Sequence, residues 1–112
     1  MDVTCCGDEP GFARWTTYEL AIQFEEPDAL VGCEEAVVTI YQLGHAENYT
    51  GERVAVDTEA SQAVIAMTQE ETGGFTPGHA TVMVNVKYEG GEREASAEAE
   101  LLVRDNLYGE AM

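Results

Sequence analysis

Lysine is nearly missing from this 112-residue chain. Lys87 and four arginines face 22 Asp and Glu residues, for a formal charge of −17. So few cations leave no basic footprint for a phosphate backbone, which excludes electrostatic nucleic-acid binding. The same field repels anionic lipid headgroups, so no membrane partner is expected. Apolar runs are short, and none approaches the roughly 20 residues of a membrane-spanning helix. The opening stretch "MDVTCCGDEPGFARW" also lacks the basic-then-apolar order of a signal peptide. Cysteine is limited to Cys5, Cys6 and Cys33. Adjacent cysteines pair only under strain, and an odd count closes no disulfide framework, so a reducing, cytoplasmic setting is expected. The Asn48-Tyr49-Thr50 sequon, with no export signal beside it, is read as chance.

The familiar chemical motifs are missing too. No C-x₂₋₄-C pair suggests zinc, no Gly-rich loop opens a helix for phosphate, and no D-x-D-x-D-G loop suggests calcium. Nucleophilic catalysis needs a base beside a Cys or Ser. The only histidines, His45 and His79, fall in or next to expected loops. Neither catalytic residues nor a cofactor or metal site are therefore expected. The densest acidic cluster, Glu25-Glu26-Asp28 with Glu34-Glu35, is the best place for a hard cation. It motivates an alternative reading as an acidic calcium-dependent or carbohydrate-binding β-sandwich module.

What the sequence does have is a two-residue hydrophobic period. Residues 1–14 show no periodicity and read as a flexible arm, leaving 15–112 as a single domain. Thr16, Tyr18, Leu20, Ile22 and Phe24 then alternate with polar or small residues, as in a half-buried strand. "EAVVTIYQ" (35–42) is β-branched and aromatic, and "LGHAENYTGE" (43–52) reads as a loop. Short strands at 53–59 and 61–67 are expected to form a hairpin around Thr58–Ser61. "HATVMVNVKY" (79–88) alternates cleanly, and Gly90-Gly91 joins it to a last run, Arg93 to Asp105. In that run Ala95, Ala97, Ala99, Leu101 and Val103 are expected to face inward. About six strands without an amphipathic helix predict an all-β fold, a small antiparallel sandwich.

Between the fourth and fifth of these strands lies "MTQEETGGFTPG" (67–78). Thr68 and Glu71 have the spacing of a capping box, with acids suited to a helix's first turn. Gly73-Gly74 stops such a helix, Phe75 is placed to plug the interior, and Pro77-Gly78 turns the chain. The stretch predicts a one-turn helical corner rather than a catalytic loop. Together, Met67–Thr72, Phe75, Gly78 and Ala95-Ser96, with "VTIYQ" (38–42) before them, resemble short structural proteins of prophage tail-region gene clusters in Gram-positive bacteria. The resemblance implies an immunoglobulin-like sandwich, similar to the N-terminal domain of phage baseplate upper proteins. It also implies a non-enzymatic structural or adaptor role through protein–protein contacts, in the host cytoplasm or in the virion. The cysteine-bearing N-terminus and the tail "RDNLYGEAM" depart from the pattern.

Three large apolar residues close to the C-terminus, Leu102, Leu107 and Tyr108, stand out on so acidic a chain. They are the expected partner-binding residues, docking another subunit or a second copy by strand addition and an apolar patch. The competing expectation is that they fold back to close the protein's own core.

Overall fold

The computed structural model describes residues 1–7 and 9–112. Its strands are β1 (Val3–Cys5), β2 (Gly11–Ala13), β3 (Tyr18–Phe24), β4 (Cys33–Gln42), β5 (His45–Tyr49), β6 (Val54–Asp57) and β7 (Gln62–Met67). After one helix, α1 (Gln69–Gly73), come β8 (Gly78–Tyr88), β9 (Arg93–Ala95) and β10 (Ala99–Arg104). They form two sheets. One has the order β1-β3-β7-β6; the other has β2-β10-β8-β4-β5, with β9 on the edge of β8. The fold is all-β, as expected, but among the described residues it has ten strands rather than six. It is also mixed rather than antiparallel, because β2 runs parallel to β10.

Period-two alternation builds the core. Leu20, Ile22 and Phe24 of β3, Ala36, Val38 and Ile40 of β4, and Ala80, Val82, Val84 and Val86 of β8 are all buried in one cluster shared by both sheets. A side chain of this size contributes about 1.5–3 kcal/mol when fully buried.

Four expectations need correction. Residues 1–14 are not a loose arm among the described residues: β1 pairs with β3, β2 pairs with β10, and Val3 and Phe12 are buried. Each strand has only three residues, too few to display a period. Asp8, within that arm, lies outside the described residues. The loop expected at 43–52 contains β5, which pairs with β4 across a two-residue turn, Leu43-Gly44. The run from Arg93 to Asp105 is broken in two. Asn85 faces Ala95 while Val82 faces Ala99, so five residues stand opposite four and a bulge separates β9 from β10. The bulge flips the pattern: Ala95 and Ala97 are exposed and Ser96 is buried instead. Ser96 is accommodated because its Oγ accepts from the Val84 N–H at 2.9 Å and donates to the Ala97 carbonyl at 2.9 Å. Finally, among the described residues the Leu102–Arg104 half of β10 offers no free edge for strand addition. β8 covers one side, and on the other the Leu102 N–H donates to the Pro10 carbonyl at 3.0 Å.

The Leu43-Gly44 turn has φ values of 41° and 87°. Positive φ at both central positions fits the type I′ turns favoured in two-residue hairpins, whose preferred pair is Asn-Gly. A leucine there is strained by roughly 1–2 kcal/mol. Leu43→Asn is expected to stabilise the fold by about 0.5–1 kcal/mol, measured by urea titration. An unchanged or lower midpoint would show that Leu43 makes stabilising contacts within its own chain.

Candidate functional site

The site is built from the corner outward. Thr68 caps α1: its Oγ1 accepts from the Glu71 N–H at 3.2 Å, while the Glu71 carboxylate accepts from the Thr68 N–H at 2.8 Å. Glu71 also accepts from the Arg53 guanidinium at 2.7 Å, and that group stacks 4.9 Å from the Tyr49 ring centre. Thr72, fully buried, accepts from the Thr16 N–H and donates to the Thr16 carbonyl. The helix is thereby tied to the chain entering β3. Phe75 has no exposed surface and packs edge-on against Phe12 and His45, with ring centres 5.8 and 4.8 Å away. Thr68, Glu71, Thr72 and Phe75 of "TQEETGGF" thus each have a structural task in the corner.

Two connections converge on α1. On one side Gln42 grips Thr76, donating to its carbonyl at 2.7 Å and accepting from its N–H at 2.8 Å. This fixes the end of β4 and sets the Leu43-Gly44 turn beside the corner. On the other side the Arg14 guanidinium donates to the Gly73 carbonyl at 3.0 Å, and the Trp15 ring lies against Gly73 so closely that no Cβ fits. The tail after β10 follows: the Asn106 side-chain amide donates to the Arg14 carbonyl at 2.9 Å, and the Met112 N–H donates to Gln69 Oε1 at 2.7 Å.

This end of the molecule carries Leu43 at 93% exposure, Met112 at 96%, Leu107 fully exposed and Tyr108 at 57%. Leu107 and Tyr108 therefore do not close the core. Leu102, the third expected residue, is 40% exposed and sits elsewhere, on β10 between Gly11 and His79. Leu43 belongs to the group although the sequence marks it only as a loop residue.

The far end is predominantly acidic, although Val31 stands 59% exposed in its loop. The loop carrying Glu25, Glu26 and Asp28, the start of β4 with Glu34 and Glu35, and the β8–β9 turn with Glu89 and Glu92 meet there. Tyr88 Oη donates to the Ala29 carbonyl at 2.6 Å, and the Glu89 N–H donates to the Gly32 carbonyl at 3.0 Å. At about 3.3 Å per residue, the ten residues of β4 hold the two ends roughly 30 Å apart, in a molecule 46 Å long. Among the described residues no three His, Cys, Asp or Glu side chains converge as metal ligands, the acidic cluster at this end included.

Both histidines sit near a carboxylate, His45 at 3.6 Å from Glu47 and His79 at 3.7 Å from Glu100. Neither distance is a hydrogen bond, and among the described residues neither ring bonds to a Ser, Thr or Cys side chain. His45 is not in a loop but opens β5. Burial and the neighbouring Cys6 push the Cys5 thiol up to about 11, and burial raises Cys33 as well. These are thiols of low nucleophilicity at neutral pH. Burial, with the charges of Glu71 and Glu47, raises the Tyr49 hydroxyl. Among the described residues no helix is long and apolar enough to cross a membrane.

Partial burial alone would raise the Glu71 carboxyl, but hydrogen bonds from Arg53 and the Thr68 backbone outweigh it and hold it below the usual carboxylate value. A carboxyl depressed in the folded state adds stability above its unfolded value, and that stability is lost as the pH falls through the lower folded value. Glu71→Gln is expected to cost about 1–2 kcal/mol at pH 7, a gap that closes as the pH falls below the usual carboxylate value and through the lowered folded one. Thermal melts at stepped pH measure it. A gap of constant size across the series would show that Glu71 contributes without its charge.

No protein-family model matches the chain, and no curated protein matches it.

Proposed function

We propose that this chain is a non-enzymatic structural or adaptor protein with an immunoglobulin-like layout, acting through protein–protein contacts in a phage or prophage tail or baseplate assembly. It works in the host cytoplasm during assembly or as a component of the virion. The observation that carries the reading is the end around α1, where Leu43, Leu107, Tyr108 and Met112 stand exposed on a chain of net charge −17. Such a group on a soluble acidic surface is the mark of a contact site. The resemblance of "MTQEETGGF" to prophage tail-region proteins supplies the assembly. Its residues build the corner that presents this end, so the resemblance bears on fold first and on partner second.

The test is the composition of tail particles from the source organism. The chain is expected to co-sediment with them at a fixed ratio to the major tail protein. Its absence from intact particles, at a detection limit of one copy each, overturns the particle component.

A second reading, a carbohydrate-binding module, is favoured by one observation. The outer face of the six-stranded sheet is hollowed by a depression of about 270 Å³, lined in part by Thr39, Asn48 and Asn85. Thr39 and Asn85 also line an adjoining hollow that reaches the half-exposed Tyr41. Amides, hydroxyls and one aromatic ring on an open sheet face suit sugars. Calorimetry against an oligosaccharide panel separates the readings, since a stoichiometric heat abolished by Tyr41→Ala would favour the module.

A further inference from the structure

We propose that the α1 end is a self-docking surface, through which two copies of this chain join end to end as a two-fold dimer. The proposal deepens the protein-contact reading by naming the partner, and it rests on that reading only for the choice of surface.

Three observations point to a second copy. The first is the partition of charge. The far end gathers the acidic loops and the β8–β9 turn, where carboxylates outnumber Lys87, paired to Glu34, and Arg93; the α1 end is more evenly mixed, with Arg104, Glu70 and Glu110 beside the ion pairs Arg14–Asp105 and Arg53–Glu71. A copy approaching with its far end would set acid beside the partner's carboxylates. Approaching α1 end to α1 end, it places the acidic ends at opposite extremes of the dimer. Each molecule is 46 Å long, several times the screening length of about 8 Å at physiological salt, so the acidic ends do not oppose this arrangement.

The second is self-complementarity. Arg104 forms no ion pair among the described residues, and Glu110 has only the Tyr108 hydroxyl as a partner. A two-fold contact pairs each surface with itself, so the cation of one copy meets the carboxylate of the other in both directions. The apolar groups are then covered by each other.

The third is strain. Leu43 occupies a positive-φ turn apex at 93% exposure, where a leucine is unfavourable in a free monomer. Strained residues that keep an exposed apolar side chain point to a contact made there. The sheet edges serve a second copy less well. The edge strand β5 carries Glu47 opposite the buried Ile40, a charge that guards an edge against strand addition.

Sedimentation velocity from low micromolar to near-millimolar concentration tests the proposal. A monomer–dimer equilibrium is expected. The double variant Leu107→Asp with Tyr108→Ser, and separately Leu43→Asn, should each weaken association about tenfold or more. Because Leu43→Asn is also expected to stabilise the monomer, misfolding cannot account for lost dimer in that variant. Glu89→Gln at the far end should leave the dimer intact. A monomer at every concentration overturns the proposal. So does an assembly that grows past a dimer, which would mean head-to-tail contact, or a dimer indifferent to all three α1-end substitutions. A monomeric chain that still co-sediments with tail particles removes the dimer and keeps the function. A dimer absent from particles does the reverse.

Discussion

Phe75→Ala is expected to destabilise the protein by about 3–5 kcal/mol, the range for removing a fully buried aromatic ring. That is about a fifth or more of the stability of an ordinary small domain. The size follows from position. Phe75 has no exposed surface and meets Phe12 of β2 and His45 of β5, so one ring joins the N-terminal segment, the edge hairpin and the corner. Its removal opens a cavity that three different chain segments must collapse to fill, and each is fixed by its own hydrogen bonds. Urea titration should show the loss as a shifted midpoint. Far-UV circular dichroism should remain that of a β protein wherever the variant is folded. A loss below about 1 kcal/mol would mean that the site relaxes freely and that Phe75 does not hold the corner to the core.

The second large effect is expected at Gly11. A Cβ placed there falls far inside contact distance of the Leu102 carbonyl oxygen, a backbone atom that cannot rotate away. Gly11→Val is therefore expected to push β2 off β10, at a cost of about 3 kcal/mol or more. Displacing β2 also exposes Phe12 and frees the Leu102 N–H from the Pro10 carbonyl. The Leu102 amide should then lose its protection against hydrogen exchange. Gly90→Ala is the control: an added Cβ meets nothing within 4 Å there and the backbone is not at positive φ, so it should change stability by less than about 0.5 kcal/mol. Equal effects at both glycines would show that the close approach of β2 to β10 does not limit the substitution.

Much of this fold is legible in the sequence wherever an element is long enough to repeat a pattern. β3 and β8 alternate over seven or more residues, and the faces their alternation selects are the ones buried. The capping box is legible because it is local, with Thr68 and Glu71 lying one helical turn apart. What escapes has a physical cause in each instance. β1 and β2 have three residues apiece, and pairing with β3 and β10 holds them in place rather than any local preference. β5 has one large inward residue, Tyr49, and its turn puts a leucine where Asn would be the usual signal. The bulge before β10 reverses the faces of Ala95 and Ser96, because one buried hydroxyl finds both a donor and an acceptor nearby.

The candidate site follows the same division. Leu107 and Tyr108 are visible in the sequence as large apolar residues on an acidic chain. Leu102 looks equivalent but lies on the sheet, flanked by β2 and β8. That Leu43 joins the other two depends on Gln42 gripping Thr76 and on Asn106 gripping Arg14, contacts between residues 34 and 92 positions apart. No local pattern announces such contacts.

Amide hydrogen exchange at low and high protein concentration, read by mass spectrometry on peptides, tests most directly whether the α1 end is the contact surface. The prediction is that the Leu43–Ala46 turn and the tail from Asp105 to Met112 gain protection as concentration rises, while the acidic loop from Glu25 to Glu35 and the turn from Glu89 to Glu92 do not. Protection appearing at the acidic end instead, with the turn and tail unchanged, would contradict the assignment of the contact surface to the α1 end.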